Sequence, residues 1–237
     1  MDSPLLHFYY KFEENSALPD FLTALERKVF IEWCADFTAS ERITSSVNVI
    51  RLIENSGDPW EAIRHLPTYK EEVKRGRESR AIDFRNRGLI EKVLTEKLED
   101  RQFYSLKGGK LTRYVLLRID MEMWDENFPG YSNIRTISVE HILPRKPRGV
   151  WVKSFTEEQM REMVDILGNL TLLSRRKNSK AANYDFKRKK ESYFNITSTP
   201  FRVTQMLQEY DEWTPETLVD RHYKLLKLVK RIYCFVE

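Results

Sequence analysis

The sequence predicts an α+β chain that is predominantly helical, with one small strand–loop–strand–helix unit embedded in it. Three observations carry this. Apolar residues recur at three- and four-residue spacing through most of the first 130 residues, the period of a helix with one buried face. Near Tyr131 the character changes to short β-prone runs separated by a Pro- and Gly-containing loop. Helical spacing returns after Thr214-Pro215. The expected organisation is a helical domain over 1–130, a mixed core over 131–195, and a C-terminal helical segment over 196–237 that packs back on the N-terminal helices.

In chain order, Phe21, Leu22, Leu25, Val29, Phe30 and Trp33 form the first stripe, with Pro19 placed to open its helix. Ile43, Val47, Ile50 and Ile53 continue the pattern after Ser40. Asp58-Pro59 pairs an N-cap with a first-turn proline and starts a short helix through Ile63. Glu78 to Arg87 is charge-rich and is expected to be a connector. Leu89 to Leu98 reads as another helix, as does Leu111 to Trp124, with Tyr114, Val115, Leu117, Ile119 and Met121 as its stripe. Stripes at this spacing are assigned to packing.

Ile134, Thr136 and Ile137 to Val139 are β-prone and lead directly into Glu140-His141. Pro144, Pro147 and Gly149 then force a loop. Thr156-Glu157-Glu158-Gln159 is a capping box, launching a helix with Met160, Met163, Val164 and Leu167 on one face until Gly168 stops it. Leu170 to Leu173 is a short apolar strand, and Ser174 is placed to cap a basic helical segment. Thr214-Pro215 opens a long terminal helix carrying Leu218, Leu225, Val229 and Ile232.

Composition narrows the function classes. Of 237 residues 32% are charged, yet 40 basic and 36 acidic residues leave a net charge of only +4, so distribution says more than the total. Ser174 to Lys190 holds eight Lys or Arg against the single acid Asp185, a local excess larger than that of the whole chain. Such a run suits backbone phosphates. Cys34 and Cys234, two in all, can build neither a zinc quartet nor a disulfide framework and are expected to be buried thiols in a reducing cytoplasm. No secretory signal opens the chain, and no apolar run approaches the ~20 residues needed to span a bilayer.

The chemistry concentrates in one stretch. Val139-Glu140-His141-Ile142-Leu143-Pro144 sets an acid beside a histidine at a strand end; Leu167-Gly168-Asn169-Leu170-Thr171-Leu172-Leu173 follows, and then Asn178. Cation-assisted phosphodiester hydrolysis needs a hard oxygen ligand, a neutral imidazole to deprotonate water, and amides to hold both. Glu140 and His141 alternate to opposite faces of a strand, so they share a site only where the strand ends and turns. His7, His65 and His222 lack such neighbours and read as structural or surface residues.

Glu140-His141-Ile142-Leu143-Pro144 resembles the acid-His-Ile-x-Pro motif of HNH (ββα-metal) endonucleases. Leu167 to Leu173 with Asn178, Asn183, Phe186, Lys190 and Tyr193 resembles, more narrowly, the C-terminal domain of GmrSD-type modification-dependent restriction enzymes, whose hallmark His-x-x-Pro is here His141 to Pro144. The resemblance covers roughly 134–195, reaching weakly to Leu25-Glu26-Arg27 and Arg113 to Leu117 upstream and to Trp213-Thr214-Pro215-Glu216 and Arg221 downstream. It implies a helical domain with an embedded HNH nuclease core. It makes His141 the general base and Glu140 a metal ligand. Asn178 becomes the second metal-side residue, and Asn169 orients the imidazole or the loop behind it. Glu140 stands where many such sites have Asp, and Asn178 where many have a final His.

The reading is a DNA endonuclease with one Mg2+ or Mn2+, the nuclease module of a modification-dependent restriction or anti-phage system. Its DNA contacts fall to Arg175, Arg176, Lys177, Lys180, Lys187 and Lys190, and its substrates include modified phage DNA. The family's N-terminal partner, associated with NTP use and recognition of modified DNA, is not found here, nor is a Gly-x4-Gly-Lys-Ser/Thr loop. Two alternatives compete: a non-catalytic nucleic-acid-binding module, and an RNA-cutting toxin on the same scaffold.

Overall fold

A computed structural model describes residues 3–13, 16–66, 70–75, 78–83, 86–124, 128–131, 136–174, 184–194 and 199–234. The chain forms two compact units: residues 1–97 with 233–237, and residues 98–232. As the sequence predicts, helices dominate and the sheets are two-stranded.

The first unit contains α1 (Pro4–Phe12), α2 (Leu18–Cys34), α3 (Ala39–Asn55), α4 (Pro59–His65), a β1–β2 hairpin (Lys70–Arg75, Glu78–Asp83) and most of α5 (Arg87–Leu98). Phe8, Phe21, Val49, Ile53 and Leu66 form its core, with Phe8 and Phe21 stacked at 3.9 Å. Thr38 and Glu41 cap α3 reciprocally, and the Lys11 ammonium closes its other end by donating to the carbonyls of Ile53, Glu54 and Ser56 at 2.6–2.7 Å. Cys34 and Cys234 are buried and not joined in a disulfide.

Several expected faces are rotated. Leu22, Val29 and Ile43 are exposed, while Ser45 and Val49 are buried on α3. Glu78–Asp83 is a strand, not a connector: it pairs antiparallel with Lys70–Arg75, Arg75 opposite Glu78. Neither strand has apolar alternation, so the hairpin leaves no signal in side-chain periodicity.

The second unit begins with a 3-10 segment (Phe103–Gly109) and α6 (Lys110–Glu122). Then come β3 (Ile137–His141), α7 (Trp151–Ser154), α8 (Glu157–Met163), a 3-10 turn (Leu167–Asn169) and β4 (Leu170–Ser174). It closes with α9 (Phe186–Phe194), α10 (Arg202–Gln205), a 3-10 turn (Met206–Glu209) and α11 (Pro215–Tyr233), the last taken to Ile232. Thr156 and Gln159 form the predicted capping box, but α8 ends at Met163, four residues before Leu167. On α6 the buried face is Leu111, Thr112, Val115, Leu116, Ile119 and Asp120, so Met121 of the expected stripe is exposed.

β3 and β4 pair antiparallel, Glu140 opposite Thr171 and His141 opposite Leu170. α6 and α10 pack on this ribbon. Thr204 of α10 donates to the Leu172 carbonyl at 2.5 Å, and Asp120 of α6 accepts from Val203 N at 2.9 Å. From α11, the fully buried Arg221 donates to the carbonyls of Gly168, Leu170 and Val203 at 2.6, 2.9 and 3.1 Å. Burial pushes its guanidinium down to about 10. His222 beside it accepts from Gly168 N at 3.2 Å, and burial, with Arg221's charge second, pushes its imidazole down to about 4. The approach at Gly168 is close: a Cβ there would lie 2.6 Å from the His222 Cβ and 2.7 Å from the Leu218 carbonyl oxygen. No described helix is long and apolar enough to cross a membrane.

Candidate active site

His141 is the last residue of β3, where pairing ends and the chain turns away through Ile142 to Pro144. Its ring is nearly buried. Tyr104 packs against it in a T-shaped contact at 4.4 Å between centroids, and its Nε2 lies 2.9 Å from Asp165 Oδ1. An ionised carboxylate can only accept, so Nε2 carries the proton and donates, and in the neutral ring Nδ1 holds the lone pair. That is the tautomer a general base needs: one nitrogen anchored, the other able to take a proton.

Asp165 is a candidate site residue that sequence reasoning missed. It sits in the turn after α8, with its backbone carbonyl accepting from Tyr104 N at 2.9 Å. Arg145 Nε lies 3.6 Å from the same Oδ1, and the Arg145 guanidinium lies 5.4 Å from the Tyr104 ring centroid. Its signal was present but ambiguous, since an Asp two residues after Met163 also reads as a solvent-facing position on a helix.

Asn169 is fully buried and touches the loop, not the imidazole. Its Oδ1 accepts from Leu143 N at 2.7 Å and Trp213 Nε1 at 3.3 Å, and its Nδ2 donates to the carbonyls of Leu143 at 2.9 Å and Val164 at 2.7 Å. One amide thus ties a residue two past His141 to a residue one before Asp165. Asn169 thereby holds the main chain beside both halves of the His141–Asp165 pair.

Glu140 faces the other way. Its Oε1 accepts from Lys189 Nζ at 2.5 Å and from Tyr193 OH at 3.2 Å, both on α9, and Lys189 also donates to the His141 carbonyl at 2.6 Å. Burial lowers the Lys189 pKa although Glu140 opposes this, and it raises that of Tyr193, with Glu140's charge adding to the rise. The network anchors the strand end to α9.

Among the described residues no three His, Cys, Asp or Glu side chains converge into a cage. Magnesium does not need one, because it is commonly held by one or two carboxylates together with water and substrate phosphates. A ligating carboxylate is itself hydrogen-bonded from behind, and Lys189 and Tyr193 hold Glu140 by one oxygen in that manner. Glu140, already paired with the Lys189 ammonium, is thus the single carboxylate that this face offers a hard cation among the described residues.

Asn178, Arg175, Arg176, Lys177 and Lys180 lie outside the described residues, as does Asn183. Lys187 is exposed on α9, while Lys190 is half-buried and donates to the Tyr210 carbonyl at 2.6 Å. The structure therefore brings together His141, Asn169 and the unforeseen Asp165, and turns Glu140 the other way, toward α9.

A family model described as GmrSD restriction endonucleases, C-terminal domain, matches residues 90–228, more than half of the chain. No curated protein matches it.

Proposed function

From the premise that this chain belongs to the family of GmrSD restriction endonuclease C-terminal domains, we propose that it is a metal-dependent DNA endonuclease with His141 as general base, the nuclease module of a modification-dependent restriction or anti-phage system. The observation that carries the reading is the His141–Asp165 pair, 2.9 Å apart at the end of a strand and held from behind by Asn169.

Asp165 accepts from Nε2 and keeps the Nδ1 lone pair for the attacking water. As that proton arrives the ring becomes an imidazolium, and the Asp165 carboxylate stabilises the new charge. Tyr104 covers one side of the ring and limits its hydration. Glu140, with Asn178, would hold one Mg2+ or Mn2+, which when bound supplies charge neutralisation at the phosphate. Arg175, Arg176, Lys177, Lys180 and Lys187 would hold backbone phosphates, which positions DNA without specifying bases.

The test is cleavage of plasmid and of modified phage DNA by wild type and His141→Ala, with Mg2+, Mn2+ or EDTA. Proton transfer is worth roughly 10²–10⁴-fold, so the variant should lose that much while melting normally, and EDTA should stop the wild type. Equal rates for wild type and variant, or cleavage that survives exhaustive chelation, would overturn the proposal.

A further inference from the structure

The turn that carries Asp165 borders a cavity of about 450 Å3, lined by Arg101, Ser105, Arg145, Arg161, Glu162 and Asp165 among others. Its charges do not balance. Arg101 pairs with Glu162 at 2.6 Å, and Arg145 stands 3.6 Å from an Asp165 that is already shared with His141. Arg161 pairs with no carboxylate among the described residues. Three guanidiniums therefore face two carboxylates, a surplus of one positive charge in an open cavity.

A group with one negative charge and several acceptor oxygens is what such a cavity takes, and a guanidinium fork matches a phosphodiester in shape. The Asp165 carboxylate that lines the cavity is the one that contacts the His141 ring. Beyond Arg145 the same loop carries Lys146 and Arg148, both exposed or half-exposed, and no acid before Trp151, so the positive charge continues along the chain. A basic loop beside a cationic cavity suits a polyanion better than a small solute.

We propose that the Arg101–Arg145–Arg161 cavity binds a DNA backbone phosphate flanking the scissile one, through residues other than those of the basic run after Ser174. The inference rests on the reading of this unit as DNA-acting. The pocket positions the strand, and its charge surplus matches one phosphodiester.

The experiment measures binding of a fluorescein-labelled DNA duplex in EDTA, where nothing is cut, at several salt concentrations. The proteins are wild type, Arg145→Ala/Arg161→Ala, Arg161→Ala alone, and the equally charged control Lys153→Ala/Lys227→Ala, whose lysines are exposed and outside the cavity. Losing one phosphate contact should make the salt slope of log K shallower by about 0.9 and raise Kd roughly tenfold at 0.1 M salt. Arg161→Ala, which removes no ion pair among the described residues, should show part of the effect without a change in melting.

If both arginine variants change slope and Kd no more than the control, the inference is overturned. It is equally overturned if a fluorescent ATP analogue binds the wild type without DNA and loses that binding in the double variant, since the pocket would then hold a nucleotide. A shallower slope beside fully active His141→Ala would leave the phosphate pocket standing and overturn the general-base reading. An unchanged slope beside inactive His141→Ala would do the reverse.

Discussion

Replacing Asp165 with Asn removes a charge while keeping shape. Arg145 Nε lies 3.6 Å from the oxygen that His141 uses, so it favours the amide oxygen facing the ring. The tautomer should therefore survive, and what is lost is the electrostatic stabilisation of the imidazolium. Opposite charges about 4 Å apart interact by about 4 kcal/mol at an effective dielectric constant near 20. A half-transferred proton realises about half of that, and Arg145 offsets some of it further. A loss of about 1.5–2.5 kcal/mol corresponds to roughly 10–70-fold in single-turnover rate. Asp165→Ala should cost more, because the ring then loses its anchor as well. The assay is single-turnover cleavage of a supercoiled plasmid, together with imidazole 15N shifts that report the tautomer: Nε2–H in wild type and Asp165→Asn, a mixture in Asp165→Ala. Residues acting as a unit are non-additive. Asp165→Asn should therefore do nothing further in a His141→Ala background. An equal loss in both backgrounds, or a wild-type rate for Asp165→Asn, would refute the coupling.

Two further outcomes concern the frame. His222 binds a proton near pH 6.5 when unfolded but only near 4 when folded, so between those values the unfolded chain holds more protons and stability falls as pH falls, by at most about 3 kcal/mol. Chemical denaturation from pH 7 to 4 should show that slope, and His222→Gln, which keeps an acceptor for Gly168 N, should flatten it. Gly168→Ala should destabilise the protein by about 2–3 kcal/mol, because its methyl meets the Leu218 carbonyl and the His222 backbone, not a movable side-chain tip; a urea midpoint equal to wild type would contradict this.

What the sequence made legible is what short-range chemistry dictates. Thr156 with Gln159, Asp58 before Pro59, and Pro215 each mark a helix start, because capping is settled within four residues. The His141 strand end was legible for the same reason. The Glu78–Asp83 strand was not, since its charged sequence carries no apolar alternation to announce a strand. Nor was the early end of α8, where the Val164 carbonyl is taken by the Asn169 side chain and the Asp165 side chain by the distant His141. Asp165 escaped notice because 24 residues separate it from its histidine, and nothing local says that the two will meet.

The Asn169 clamp bears on how such nucleases can be found among unfamiliar chains. His-x-x-Pro is a short string that arises by chance in many sequences, and it holds no information about whether the histidine has a carboxylate behind it. The distance between His141 and Asp165 is set by an amide that also reads the backbone at 143 and 164 and the indole of Trp213. The smallest fingerprint that specifies the pair is thus discontinuous, made of two side chains, one amide, two stretches of main chain and one ring spread over residues 141–213. A search in three dimensions for that arrangement would reject chance strings, and it would accept chains in which the linear motif has drifted beyond recognition.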